Sequence, residues 1–333
     1  MNIKTIKQEF WETIEKYDRF LLCLHKNADM DSLCSNLAMR DLLLKAGKTV
    51  TLLAGENNNF PESFAIFATD LRFISNHSIP EIDQNDYDYF VMLDIASESR
   101  LYDVSSSQIV IPKIVIDHHA GNNISGAEFS FIDPSRSSTA EMVAELGFID
   151  SDEFKSYIYM GIYSDTMGFQ YNMSGKVFEI LQKTFTKKIN RMVLHFEKSF
   201  TVNDFKLLQT VIEKEKFVYN RESHKISLVV VCLSAVDIAL LAPFADTGKI
   251  ISIYEKRSDI DIFILVIQQG EDLWRLRIRS YVGDREYAKE IAEEFGGTGH
   301  AQSAGATLSQ EKMNRLRFDL YFKWYTKKDF KLV

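Results

Sequence analysis

Four short segments of this 333-residue chain end an apolar run with acid or imidazole groups. They are Leu24-His25-Lys26-Asn27-Ala28-Asp29-Met30-Asp31, Met92-Leu93-Asp94, Ile116-Asp117-His118-His119 and Tyr163-Ser164-Asp165. In three of them the polar groups follow directly on a candidate strand. Ligands of open α/β sheets bind outside the carboxyl ends of the strands, so groups from separate strands converge there. Converging carboxylates repel one another unless cations lie among them. Carboxylate oxygens with a minority of imidazoles suit Mn²⁺, Mg²⁺ or Co²⁺ better than a thiolate-seeking structural Zn²⁺. Two such ions about 3.5–4 Å apart can share a carboxylate, activate a water and stabilise the charge of an in-line displacement at phosphorus. A single aspartate after a strand is more often a turn or cap residue, and a single histidine a satisfied core residue. The Asp-His-His triplet resists that explanation, because three hydrophilic groups directly after a buried strand need partners.

The elements that would carry these groups are legible from periodicity. Ile3, Ile6, Phe10, Trp11 and Ile14 have helical spacing. Apolar runs at 20–24, 49–53, 89–93 and 114–116 read as buried strands, and helical patterns cover about 32–44, 138–146 and 153–163. Strands alternating with helices predict a parallel sheet with crossovers. A charged, mostly helical stretch from about 184 to 220 reads as a linker. Beyond it the pattern restarts with strands at 226–233, 250–254, 260–267 and 274–278 and helices at 236–241 and 285–295. The expected division is a catalytic metal-binding domain over 1–190, a helical linker over 191–215 and a smaller α/β domain over 216–333.

Taken in order, these motifs resemble the DHH phosphoesterase family, whose name is spelled by Asp117-His118-His119. His25, Asp29 and Asp31 resemble its His-x-x-x-Asp-x-Asp motif. The run Gly296-Gly297-Thr298-Gly299-His300-Ala301-Gln302-Ser303-Ala304-Gly305 resembles the signature of the DHH-associated C-terminal domain. The two-domain length resembles the oligoribonuclease and pAp-phosphatase subgroup. The resemblance implies one metal on His25, Asp29 and Asp94, and another on Asp31, Asp94, His118 and Asp165. It implies that Asp117 orients the first histidine and that His119 faces the scissile phosphate. It also implies substrate contacts from Arg279, Ser280, Gly297, Gly299 and His300. The physics of the glycine-rich loop fits, since glycines let backbone amides approach an anion closely. The same glycines also suit a helix end. Arg275, Arg277 and Arg279 recur at strand spacing, which also fits a solvated face, and Arg136 reads more readily as a loop charge than as a phosphate ligand. Met30 and Cys34 stand where the family has smaller residues, departures that bear on substrate choice rather than on metal binding.

Bulk properties narrow the function. A net charge of -8 argues against tracking long nucleic acid, which requires a basic stripe. No run of about 18 apolar residues spans a membrane. The three cysteines form neither a disulfide framework nor a zinc pattern, which fits a reducing cytoplasm. The resemblance implies a Mn²⁺-dependent hydrolase of short oligonucleotides or pAp, with a homodimer as the family's habit. The rivals are a cyclic di-AMP or pApA phosphodiesterase and, from a different class, a non-catalytic nucleotide sensor.

Overall fold

The computed structural model describes residues 2–26, 28–54, 62–75, 79, 82–97, 100–101, 108–197, 201–220, 225–241, 247–281, 287–299, 301–316 and 330–332. The chain divides into two units, Met1–Ser199 and Phe200–Val333.

The first unit is built on a parallel sheet. Its strands are β1 (Arg19–Cys23), β2 (Thr49–Leu53), β3 (Ile74–Ser75), β4 (Tyr89–Leu93), β5 (Lys113–Asp117) and β6 (Ala127–Ile132), in the order β3-β2-β1-β4-β5-β6. Every pairing is parallel. All five residues of β4 are buried, as befits a strand covered on both faces. Successive side chains alternate between those faces. Leu22, Val91, Leu93, Ile114 and Ile116 enter one core cluster, and Leu21, Cys23, Phe90, Met92 and Val115 enter another. The chain order reverses between β1 and β4, which is the switch point where such sheets open a crevice at their carboxyl ends.

Helix α1 (Ile3–Glu15) precedes the sheet and buries Ile6, Phe10 and Ile14. Helix α2 (Met30–Lys45) follows β1 and packs on α3 (Thr139–Leu146) and α4 (Asp152–Asp165). Each of the three begins with a side-chain cap: Asp29 accepts from Ser32 N at 3.0 Å, Ser138 from Glu141 N at 3.1 Å and Ser151 from Phe154 N at 3.1 Å. Close approach of α4 to α2 and α3 requires Gly161. A Cβ there would lie 2.5 Å from Ala140 Cβ and 3.2 Å from Cys34 Cβ. Helices α5 (Gly175–Thr184) and α6 (Lys187–Glu197) complete the unit, both packed on α4.

The boundary between units falls inside the stretch expected to be a helical linker. Helix α6 belongs to the first unit, whereas α7 (Val202–Glu213) packs on α9 (Thr247–Glu255) of the second. Residues 250–254, expected to be a strand, lie in α9. The run is apolar and rich in isoleucine, but the residues it buries are Ile250, Ile251 and Tyr254, which is the spacing of a helical face.

The second unit carries a mixed sheet. Its strands are β7 (Lys216–Asn220), β8 (Lys225–Leu233), β9 (Ile260–Gln268), β10 (Leu273–Ser280), β11 (Thr298–Gly299), β12 (Ser303–Ser309) and β13 (Phe330–Leu332), ordered β11-β12-β10-β9-β8-β7-β13. Among the described residues only β8 and β9 pair in parallel. Helix α10 (Tyr287–Glu294) covers one core cluster, while α7, α8 (Ala235–Leu241) and α9 cover the other. Among the described residues no helix is long and apolar enough to cross a membrane.

Candidate metal centre

The four segments meet at the carboxyl ends of β1, β4 and β5. His25 lies two residues past β1, Asp94 directly after β4, and His118 and His119 directly after β5. Asp29 caps α2, Asp31 sits in its first turn and Asp165 ends α4. Asp94 has a φ of 62°, a left-handed conformation that aspartate tolerates better than most side chains. Its amide donates to Ile116 O at 3.1 Å, so the turn is tied to the neighbouring strand.

The distances are those of a cluster. His25 Nε2 lies 3.2 Å from Asp94 Oδ2 and 3.6 Å from Asp29 Oδ2. His118 Nε2 lies 3.2 Å from Asp165 Oδ2 and 3.7 Å from Asp94 Oδ1. Among the described residues three groups offer ligand atoms within 4.8 Å of one another: His25, Asp29 and Asp94; Asp31, His118 and Asp165; and Asp94, His118 and His119. Asp94 and His118 each belong to two of them. Asp31 is additionally gripped by α3, with Thr139 N donating to Oδ2 at 2.8 Å and Ala140 N to Oδ1 at 3.0 Å. The Thr139 hydroxyl donates to Asp94 Oδ1 at 3.4 Å.

Electrostatics of the chain's own groups put the carboxylates in conflict. Burial, then the charges of Asp94 and Asp165, push the Asp31 carboxyl well above the usual carboxylate range. Burial and Asp94 do the same to Asp165. Burial opposes charge on His25, as does Arg100, but Asp29 and Asp94 prevail and raise the imidazole to about 9. A divalent cation among these groups resolves the conflict, because it neutralises carboxylates that otherwise take up protons. Oxygen donors with two or three imidazoles fit Mn²⁺, Mg²⁺ or Co²⁺.

Asp117 is placed differently from the expectation. Its partner is the second histidine, not the first. Asp117 Oδ1 lies 2.8 Å from His119 Nδ1 and accepts from the His119 amide at 3.2 Å, while Asn122 Nδ2 donates to Oδ2 at 2.7 Å. Burial works against the His119 charge, but Asp117 and Asp94 raise the imidazole to about 10. The Asp117 carboxylate behind the ring thus favours its charged form.

Sequence reasoning overlooked four contributors. Arg100, whose carbonyl accepts from Lys26 N at 2.7 Å, places a cation whose charge is felt at His25, Asp29 and Asp165. Thr139 and Ala140 act through backbone amides, which have no signature in the sequence. Gly161 lets α4 reach Asp31, and its only signal is a glycine inside a helical pattern.

In the second unit the expected substrate residues stand apart from these ligands in the chain. Arg279 Nε donates to Glu255 at 2.9 Å and Nη1 to Ile278 O at 3.0 Å. Ser280 is buried at the end of β10. Gly297 and Gly299 press on β12: added Cβ atoms would lie 2.2 Å from Gly305 O and 2.4 Å from Ala304 Cα. Strand packing therefore requires both glycines, whatever else the loop does. His300 lies outside the described residues. Arg136, weighed as a phosphate contact, is engaged by Asp133 and Glu145 at 3.0 and 3.1 Å.

Residues 19–162 match the N-terminal domain of the DHH family. Relatives extend over most of the chain. The bifunctional oligoribonuclease and PAP phosphatase NrnA of Mycoplasma pneumoniae is 22% identical over 90% of both chains. The protein of the same name from Thermus thermophilus is 27% identical over 86% of this chain and 83% of its own. Among solved structures, an exopolyphosphatase-related protein from Bacteroides fragilis covers 97% of this chain and 96% of its own, with a TM-score of 0.77 at 19% identity, a likeness of fold. With the acid–imidazole cluster at its strand ends, the segment 19–162 is a DHH-family N-terminal domain, and the chain is a metal-dependent hydrolase of phosphoester bonds.

Proposed function

We propose that the chain hydrolyses short oligonucleotides and pAp to mononucleotides, using two divalent cations of which Mn²⁺ is the best fit. The observation that carries the reading is the overlap of ligand groups: Asp94 is common to the His25–Asp29 group and the His118–His119 group, and His118 is common to the latter and the Asp31–Asp165 group. The two relatives named as bifunctional oligoribonuclease and PAP phosphatase support the substrate class. One cation would be held by His25, Asp29 and Asp94, the other by Asp31, Asp94, His118 and Asp165. When bound, the pair supplies Lewis acidity toward phosphate oxygens and lowers the pKa of an attacking water.

The chain's own groups do the rest. His119, whose Nδ1 lies against Asp117, would donate a proton to the departing oxygen. Thr139 and Ala140 fix Asp31 in one orientation. Arg279 and Ser280 are the substrate-phosphate residues of the second unit. With Nε held by Glu255 and Nη1 by the Ile278 carbonyl, the guanidinium would offer Nη2 to a phosphate. Removing it raises KM more than it lowers kcat.

The test is hydrolysis of a 5′-phosphorylated RNA dinucleotide, pAp and cyclic di-AMP with added Mn²⁺, beside an Asp117→Ala, His118→Ala double variant. Mononucleotide release from the dinucleotide and pAp by the parent alone supports the reading. Faster turnover of cyclic di-AMP replaces it with the cyclic-dinucleotide phosphodiesterase. No turnover by folded, Mn²⁺-loaded protein sinks the substrate class and favours a nucleotide sensor.

A further inference from the structure

Asp31 differs from the other ligands in having both carboxylate oxygens already occupied by backbone amides of one helical turn, at Thr139 and Ala140. What fixes that turn lies one step further out. The amide and the hydroxyl of Ser137 both donate to Glu141 Oε2, each at 2.7 Å. Glu141 in turn donates its amide to Ser138 Oγ at 3.1 Å, closing the first turn of α3 on itself. The other oxygen of Glu141 faces Arg136 Nη1 at 3.7 Å. Arg136 is braced by Asp133 and Glu145, and the Asp133 amide donates to Asp117 O at 3.1 Å, at the end of β5. Glu141 is only 1% exposed, and Ser137, Ser138 and Thr139 are fully buried. A buried carboxylate is retained against its desolvation cost only when each oxygen is met, as here.

We infer that Glu141, paired with Arg136, is a positioning residue of the metal centre. It sets the affinity of the half-site formed by Asp31, His118 and Asp165 and leaves the half-site of His25, Asp29 and Asp94 unchanged. The asymmetry follows from the contacts. The turn that Glu141 fixes makes two short bonds to Asp31, whereas its one bond to Asp94 is long at 3.4 Å. The inference rests on the two-cation reading proposed above. A merely structural Glu141 would lower thermal stability and weaken both half-sites alike.

The experiment is a Mn²⁺ titration of the whole chain, with free Mn²⁺ read by electron paramagnetic resonance and the steps assigned with a His25→Ala variant. Glu141→Ala removes charge and acceptor together. Glu141→Gln keeps an oxygen for Ser137 but loses the charge facing Arg136. Tyr157→Phe, which deletes the hydroxyl donating to Asp70 at 2.6 Å, is the control for stability lost elsewhere in the unit. In Glu141→Ala the step belonging to Asp31, His118 and Asp165 weakens by about tenfold or more, the range expected when a residue supporting a ligand is lost. Glu141→Gln recovers part of that loss, and the other step stays where it was. Tyr157→Phe moves neither step. Equal weakening of both steps, or no change in either, overturns the inference. Should Glu141→Ala not fold, Ser137→Ala with Glu141→Gln makes the same comparison. Binding of fewer than two Mn²⁺ by the parent chain is a failure of the two-cation reading and takes this inference with it.

Discussion

Replacing Gly161 by alanine tests whether the packing of α4 on α3 holds the metal centre in shape. The added Cβ would lie 2.5 Å from Ala140 Cβ and 3.0 Å from Asp31 Oδ1. Non-bonded carbons settle about 3.5–4.0 Å apart, so α3 and α4 must separate by roughly 1 Å. Ala140 Cβ is fixed to backbone and cannot swing aside. Overpacking of this kind costs about 1–3 kcal/mol. For a unit of this size that corresponds to a Tm lower by roughly 2–12 °C. The same movement carries the Thr139 and Ala140 amides away from Asp31, whose bonds of 2.8 and 3.0 Å cannot survive it. Mn²⁺ affinity should then fall by about tenfold, as it does when groups supporting a ligand are displaced. Calorimetry in chelator measures the first effect and a Mn²⁺ titration the second. A variant that melts within about 1 °C of the parent and binds Mn²⁺ equally well would refute the argument, because the helices would then have room that the structure denies them.

Three further outcomes are expected. Asp94→Asn keeps the left-handed turn, which asparagine also tolerates, but removes the charge common to two ligand groups; hydrolysis should drop beyond the roughly 100-fold that loss of a supporting residue costs, and activity within tenfold of the parent would contradict the assignment. Asp117→Asn leaves His119 without its carboxylate, so kcat should fall by about 10–100-fold with Mn²⁺ stoichiometry intact, and the imidazole resonances should titrate well below the raised value of about 10. Away from the site, Asp88 accepts from Arg19 Nη2 and from the amides of Asp18 and Arg19, and the Arg19 bond leads in holding its carboxyl at about 2. A folded value below the unfolded one adds stability above about 4 and loses it as pH falls through about 2; Asp88→Asn should therefore lower Tm at neutral pH and converge with the parent in acid, and a gap constant with pH would exclude the pairing.

How much could be read in advance depended on where the information resided. The strands of the first unit were legible because β4 and β5 are buried on both faces and so run uninterrupted in apolar residues. The groups that meet at their carboxyl ends were legible because acids and imidazoles cannot follow such runs without a reason. Strand β6 was overlooked, since only Phe129 and Phe131 mark its buried side and the rest is exposed or half-buried. The run at 250–254 misled because isoleucines favour strands in isolation, whereas the burial of Ile250, Ile251 and Tyr254 on one helical face decided otherwise. The orientation of Asp117 toward His119 rather than His118 is a matter of side-chain rotamers after β5. The pairing of Arg279 with Glu255 joins residues 24 apart in the chain. The amides that hold Asp31 belong to every residue type and announce nothing.

The strand order of the first sheet works as a ruler. Neighbouring strands stand about 4.7–4.9 Å apart, a figure set by backbone hydrogen bonds and independent of sequence. Strand β4 is flanked by β1 on one side and β5 on the other. A carboxylate at its end is thus one strand-width from His25 and one from His118, and the distance between the proposed cations is inherited from the ladder. Altering that distance would mean changing the twist or register of a sheet whose two faces both carry core residues. Changes at the proposed substrate residues of the second unit would leave that spacing as it is. The architecture separates what the reaction needs held constant from what a lineage of such enzymes is at liberty to vary.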